Sequence, residues 1–249
     1  SNTHWPETNA KMLKNRRIGL SQSGVVQAFN KHGRREMYDW CDRGYAYVTQ
    51  LDKEYSNWLC IPKSVRTTSI KPSGTVSLLN GSTPGIHFPE DRYYIRRIRF
   101  ASDSKLIPTL KNAGYYVEKD EYTPNTLVVE FPVEEPYFTK GKKDVSMWEQ
   151  LEIAAQYQHY WADNSVSITV TFNASEASQI KDALEMYESR LKAVSFLKLV
   201  ETGYKQAPYE AITEKEYRKR VKSIKPIKRF SETEDASGTK FCTNDTCTI

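Results

Sequence analysis

A chain of 249 residues with 39% hydrophobic residues is long enough to bury a core, as one large domain or two small ones. Its formal charge of +5 is mild and its basic residues alternate with acids, so the composition permits nucleic-acid binding without demanding it. No apolar run has the length of a membrane-spanning helix and the N-terminus lacks signal-peptide architecture, which predicts a soluble, cytoplasmic protein; Ser1 in place of an initiator methionine predicts a processed or excised chain.

In chain order, Pro6-Glu7-Thr8 opens a helix through Leu13, residues 17–21 form a short extended piece, and Ser23-Gly24 starts a helix through Phe29 that Gly33 breaks. From Glu36 to Leu59, the residues Met37, Trp40, Tyr47, Leu51, Tyr55 and Trp58 recur at helical spacing, predicting a long helix with a buried aromatic face. Cys41 and Cys60 lie among apolar neighbours, where a free thiol behaves as a small buried hydrophobe. The β-branched run Val65, Thr67, Thr68, Ile70 predicts a strand, followed by the turn Lys71-Pro72-Ser73-Gly74-Thr75-Val76-Ser77 and a helix start near 75–80. Such a turn either caps a helix or places small side chains and amides where the positive end of the dipole can hold a phosphate. Its spacing is neither a Walker loop nor a dinucleotide fingerprint.

Further along, 93–100 reads as a strand whose Arg96, Arg97 and Arg99 either pair with acids or present one guanidinium to an anionic ligand. Ser104 to Ala113 reads as a helix ended by Gly114, and 127–131 as a strand that suits an antiparallel excursion. Asp144 caps a helix with Met147, Leu151, Ala154, Gln158 and Trp161 on one side; a strand follows at 166–172, a helix at 176–191 and a last strand near 193–197. This alternation of strand and helix predicts an α/β fold. Lys215 to Arg229 reads as a solvated helix leading to a tail, and the stretch 231–238 is too poor in apolar residues to pack. In that tail Cys242 and Cys247 stand four residues apart. They are open to three readings: a structural clip, half a metal site, or a reducible exchange pair. His4, His32, His87 and His159 show no paired spacing with the cysteines, so no metal is predicted.

Several blocks together resemble the C-terminal part of the class II, adenosylcobalamin-dependent ribonucleoside-triphosphate reductases of the monomeric type. They are His4-Trp5-Pro6-Glu7-Thr8, Asn15-Arg16-Arg17-Ile18-Gly19, the run Thr67 to Ser77, Gly85-Ile86-His87-Phe88, Tyr94-Ile95-Arg96-Arg97, Asn164-Ser165-Val166-Ser167 and Gln206-Ala207-Pro208-Tyr209-Glu210. The resemblance implies that residues 1–230 are the later part of a ten-stranded α/β barrel and that 231–249 are a flexible redox tail. It implies phosphate contacts from Ser73, Gly74, Thr75, Val76 and Ser77 to a ribonucleoside triphosphate, and a thiol shuttle of Cys242 and Cys247 that a thioredoxin-like partner reduces. Adenosylcobalamin is the implied cofactor, with contacts that no residue here identifies. The radical cysteine and its neighbours belong to an N-terminal portion that this chain lacks, so no turnover is expected from the chain alone. No membrane and no direct nucleic-acid partner are implied. The alternatives are a non-catalytic nucleotide- or cobalamin-binding module, a thiol-disulfide carrier, and a class I-type large-subunit fragment; for the last, Tyr93-Tyr94 and Tyr115-Tyr116 lack the setting of a radical relay.

Overall fold

The computed structural model describes residues 5–74, 76–199 and 205–227. Its first elements are α1 (Pro6–Asn15), α2 (Val25–His32), α3 (Arg34–Trp58), β1 (Tyr93–Ala101), α4 (Leu106–Asn112), β2 (Tyr116–Lys119) and β3 (Thr126–Glu134). They are followed by α5 (Met147–Tyr160), β4 (Thr169–Phe172), α6 (Ile180–Tyr187), β5 (Ser195–Lys198), β6 (Tyr209–Ala211) and α7 (Glu214–Ser223). The chain divides into two compact units, one of residues 1–89 and 137–200, the other of 90–136 and 201–249.

The first unit is built on parallel extended segments. Leu20 bridges Thr68 and Ile70 bridges Val166, both in parallel, and β4 pairs in parallel with β5. Four pieces of chain (18–20, 67–70, 166–172 and 195–198) therefore run the same way. Ile70, Val166 and Val170 are fully buried between them and α5, whose Met147, Leu151, Ala154 and Trp161 all enter the core. The predicted face of α5 is buried except for half-buried Gln158, and burial extends beyond it to Gln150, Ile153, Ala155 and Tyr157. Its cap differs: Ser146, not Asp144, accepts from the Glu149 amide, because Asp144 is spent on the Gly141 amide.

The long helix α3 departs from expectation. Met37 is buried, but Trp40, Tyr47, Tyr55 and Trp58 are exposed, Trp58 at 73%. The side that packs is Met37, Tyr38, Cys41, Tyr45 and Val48, one helical face rotated from the aromatic row. Periodicity marks an amphipathic stripe but not what covers it. Cys41 is buried as expected, whereas Cys60 is exposed just past the end of α3, in left-handed backbone at φ 53°.

The second unit is an antiparallel sheet of order β2-β3-β1-β6. Its central pair keeps one register from Tyr93 opposite Glu134 to Ala101 opposite Thr126. The excursion expected at 127–131 is real and larger than expected. It takes in 93–101, which the strand-helix rhythm had assigned to the same series as the parallel strands. The cause is local: α4 is only a short helix that packs Ile107 and Leu110 on Val129, and the chain turns back at Gly114 instead of crossing over. A Cβ on Gly114, at φ 91°, would lie 2.2 Å from the Ser223 carbonyl oxygen, so the helix-ending glycine also admits the end of α7.

Two of the three arginines of β1 satisfy the acid-pairing expectation, and Arg96, among the described residues, does not. Buried Arg97 binds Glu130 (2.7 Å) and Glu210 (2.5 Å), Arg99 binds Asp120, and Arg96 lies over the Tyr209 ring at 4.3 Å. The chain is α/β with sheets, and no closed barrel is seen among the described residues.

Candidate functional site

In parallel arrangements, ligands gather at the carboxyl ends of the strands, where loops and helix starts converge. The turn 71–77 lies at the carboxyl end of the segment 67–70. Beside it is the carboxyl end of 18–20, which leads through Ser21 and Ser23 into α2. Serine hydroxyls stitch the two ends together: Ser21 Oγ accepts from the Lys71 amide at 2.9 Å, and Ser23 Oγ and Ser73 Oγ share a hydrogen bond of 2.7 Å.

Behind these contacts the loop 81–85 is clamped to the first turn of α2. The Gly24 amide donates to the Thr83 carbonyl and the Val25 amide to that of Gly85, while Gln27 donates to the Gly81 carbonyl and accepts from the Thr83 amide. Gly85 is required where it sits. Its φ is 53°, and a Cβ would lie 2.7 Å from the Lys71 carbonyl oxygen at the base of the turn. Gly85→Ala is therefore expected to cost about 2–3 kcal/mol in urea unfolding. An unchanged midpoint would show that the loop shifts freely.

Of the predicted phosphate residues, Thr75 lies outside the described residues and the other four are brought together. Ser73 adopts left-handed backbone (φ 47°), a conformation sparse for a non-glycine residue. Ser73 accepts from the Ser77 amide at 2.9 Å, which makes one tight turn. Val76 is exposed; the side chain of Ser77 is buried and its hydroxyl has no hydrogen-bond partner among the described residues. The Thr83 hydroxyl close by in sequence is likewise buried and unpartnered. An unpaired buried hydroxyl costs about 1–3 kcal/mol, so such groups mark places where an acceptor or donor is still to come.

The helix expected at 75–80 is a four-residue 3-10 turn, Ser77–Asn80. Pro72 and Gly74 before it, and Gly81 in left-handed backbone after it, leave too little chain for an α-helix. Any helix dipole at this rim comes from α2, whose eight residues start after Gly24. The hydroxyls of Ser21, Ser23 and Thr83 are contributors that sequence reasoning passed over; the Ser-x-Ser that follows the extended piece 17–20 is the signal that marks them.

The segment under the turn is held by one acid. Asp163 accepts from the Thr67 and Thr68 amides at 3.0 Å and from both threonine hydroxyls. Partial burial opposes its charge, but these donors outweigh it and hold the carboxyl below the ordinary range. Asn164 donates to the carbonyls of Ile18 and Thr68, and the Trp161 indole donates to that of Ser69. The three residues after α5 thus set the position of two neighbouring segments.

His87 ties the far end of the same loop to β4. Its Nδ1 pairs with the Pro84 carbonyl and its Nε2 accepts from the Thr169 amide, which fixes the neutral tautomer with the proton on Nδ1. Burial lowers its pKa below 6.5. The sign follows: its contribution to stability is complete above pH 6.5 and is lost as pH falls toward the folded value, because the unfolded chain takes up the proton first. His87→Gln is expected to flatten the fall in urea midpoint on acidification from pH 6.5, and an unchanged slope would assign that fall elsewhere.

The tail cysteines Cys242 and Cys247 lie outside the described residues. Among the described residues no group of three or more His, Cys, Asp or Glu is placed to hold a metal, and no helix is long and apolar enough to cross a membrane.

No family model matches the chain. It is 46% identical to a probable adenosylcobalamin-dependent ribonucleoside-triphosphate reductase of Dictyostelium discoideum, with 99% of the chain and 34% of that protein covered. It is 44% identical to the adenosylcobalamin-dependent ribonucleoside-triphosphate reductase of Euglena gracilis, covering 98% of the chain and 35% of the protein. A crystal structure of a B12-dependent class II ribonucleotide reductase superposes on 88% of the chain and 35% of its own, with a TM-score of 0.81 and 34% identity. The chain corresponds to a partial piece of those proteins. It spans about a third of the length of these relatives, and the stitched rim, the clamp at Gly85 and the Asp163 network all lie inside the matched region.

Proposed function

We propose that this chain is the C-terminal portion of an adenosylcobalamin-dependent ribonucleoside-triphosphate reductase, acting in the cytoplasm on ribonucleoside triphosphates. Residues 1–230 are its share of a ten-stranded α/β barrel and 231–249 its redox tail. The observation that carries the reading is the serine-stitched rim at the carboxyl ends of two parallel segments, in a chain matched over 99% of its length by a named reductase.

At that rim Ser73, Gly74, Thr75, Val76 and Ser77 receive the phosphates of the substrate. The hydroxyls of Ser73 and Ser77 donate to phosphate oxygens, and Ser77 then gains the partner it lacks. The Asp163 network keeps the segment beneath fixed, so little ordering is left for the moment of binding. In the tail, Cys242 and Cys247 act as a dithiol. One thiolate attacks the disulfide left by turnover, the other resolves the mixed disulfide, and two electrons and two protons pass to the active site. A thioredoxin-like protein restores the pair.

Adenosylcobalamin supplies the radical in the named relatives' class of enzyme. No residue of this piece is assigned to its binding.

Two measurements test the reading. Titration calorimetry with a ribonucleoside triphosphate should show binding that the double variant Ser73→Ala/Ser77→Ala weakens on the order of 100- to 10,000-fold, since hydrogen bonds to charged groups contribute about 1.5–3 kcal/mol each. Equal affinity in the variant removes the turn from the site. Incubated with adenosylcobalamin, a ribonucleoside triphosphate and a dithiol, the chain alone should form no deoxynucleotide; formation of product would overturn its role as a part.

A further inference from the structure

We propose that the outer face of α7 is the docking site for this chain's own acidic segment, Glu232-Thr233-Glu234-Asp235. Lys215, Arg218, Lys219 and Lys222 fall at i, i+3, i+4 and i+7, one stripe of the helix, and all four are exposed. The opposite side is committed to the sheet: Tyr217 packs on Tyr93 at 5.0 Å, and Arg220 binds Glu130 and Glu216. Arg218 already pairs with Glu214. Lys215, Lys219 and Lys222 have no ion-pair partner among the described residues. A groove of about 750 Å³ runs along this face, walled by the aliphatic stems of those side chains.

The occupant follows from charge and reach. Residues 228–249 continue from Ile227, which packs on the cluster of Ile107, Leu110 and Val129, so the tail leaves from a fixed point. Glu232 is five residue steps beyond Ile227, and an extended chain covers about 17 Å over that length, whereas Lys215 to Lys222 spans roughly 10 Å of helix. Ile227 packs on the Val129 face of the sheet and α7 on the Glu130 face, so the tether doubles back past the end of the helix and the three acids meet the stripe first at Lys222. Such a short tether gives an effective concentration in the millimolar range or above, which offsets the weakness of exposed ion pairs. A separate nucleic acid or acidic protein would bind this stripe only by displacing the tethered acids. Docked this way, Asp235 leashes Cys242 to within roughly 25 Å of α7. The docking rests on charge and reach, and stands whether or not the cysteines carry electrons.

Zero-length carbodiimide cross-linking of the whole chain, mapped by mass spectrometry, tests the inference. In about 20 mM salt the main tail products should join Lys215, Lys219 or Lys222 to Glu232, Glu234 or Asp235, falling several-fold in about 0.5 M salt. Lys215→Glu/Lys219→Glu/Lys222→Glu should abolish them, and adding Glu232→Lys/Glu234→Lys/Asp235→Lys should restore cross-links between the same positions with the charges exchanged. If the reversed helix loses its circular dichroism signal, the neutral variant Lys215→Gln/Lys219→Gln/Lys222→Gln serves instead, with tail carboxylates expected to shift to other amines. The proposal is overturned if tail cross-links are absent or spread evenly over the chain's lysines. It is also overturned if they are indifferent to salt, if the charge exchange fails to restore them, or if the stripe is protected only by added single-stranded DNA.

Discussion

Replacing Arg97 with methionine is expected to lower the free energy of unfolding by about 3–5 kcal/mol, the largest effect of any single substitution in the antiparallel unit. Arg97 is 9% exposed and bridges Glu130 on β3, itself 4% exposed, to Glu210 on β6, while a further N–H donates to the Ala207 carbonyl. Without it the carboxylate of Glu130 stays buried with Arg220 as its remaining cation, and β6 loses its tie to β1. The cost arises more from a buried carboxylate left with one cation in place of two than from the lost attraction to Glu210. Arg97→Met/Glu130→Met, which removes both charges, should accordingly recover part of the loss, leaving Arg220 a route to solvent and Glu216 as partner. Urea unfolding of both variants measures this; a double variant no better than the single would place the cost in packing.

The second large effect is expected at Asp163. Asp163→Ala removes the acceptor for the amides of Thr67 and Thr68 and for the Thr67 hydroxyl, while the Thr68 hydroxyl keeps the Trp161 carbonyl; both threonines are buried, and the cost is about 3 kcal/mol. Because those residues lead directly into the turn, the variant should also bind triphosphate more weakly than Arg97→Met, which lies in the other unit. Acid gives an independent check. A carboxyl held below its ordinary value of 3.8 contributes stability that is complete above that value and disappears as pH falls through the folded pKa. Asp163→Asn should lose that component of the acid transition, and an identical acid profile in the parent and the variant would mean that the network does not depend on charge.

Much of this was legible from residues alone. The core side of α5, the ends at Gly33 and Gly114, the strand at 166–172 and the cluster of small residues after Ile70 each follow from spacing or from glycine's conformational freedom. What escaped were features that need a third dimension. β2 and β6 are four and three residues long, too short to show a period. The aromatic row of α3 has the signature of a core face, yet a stripe of apolar residues looks the same whether its cover lies within this chain or in another. At the turn, the nature of the residues suggested an anion cradle while the supposed helix was a 3-10 turn, so small side chains were a better guide than the dipole argument attached to them. The stitching serines 21 and 23 lie some 50 positions from the turn, a distance that local pattern does not bridge.

The parallel segment 18–20 has one further consequence, for how the isolated chain behaves in solution. Ile18 and Leu20 are 42% and 48% exposed, and Leu20 is bridged to Thr68 on one flank. Among the described residues nothing pairs with the other flank, at Gly19, and an open strand edge with exposed apolar side chains is a template for another copy of itself. Light scattering from the purified chain should therefore rise with concentration. Leu20→Lys, on a segment that still pairs with 67–70, should suppress that rise without altering the fold, which makes it the practical variant for every binding measurement above.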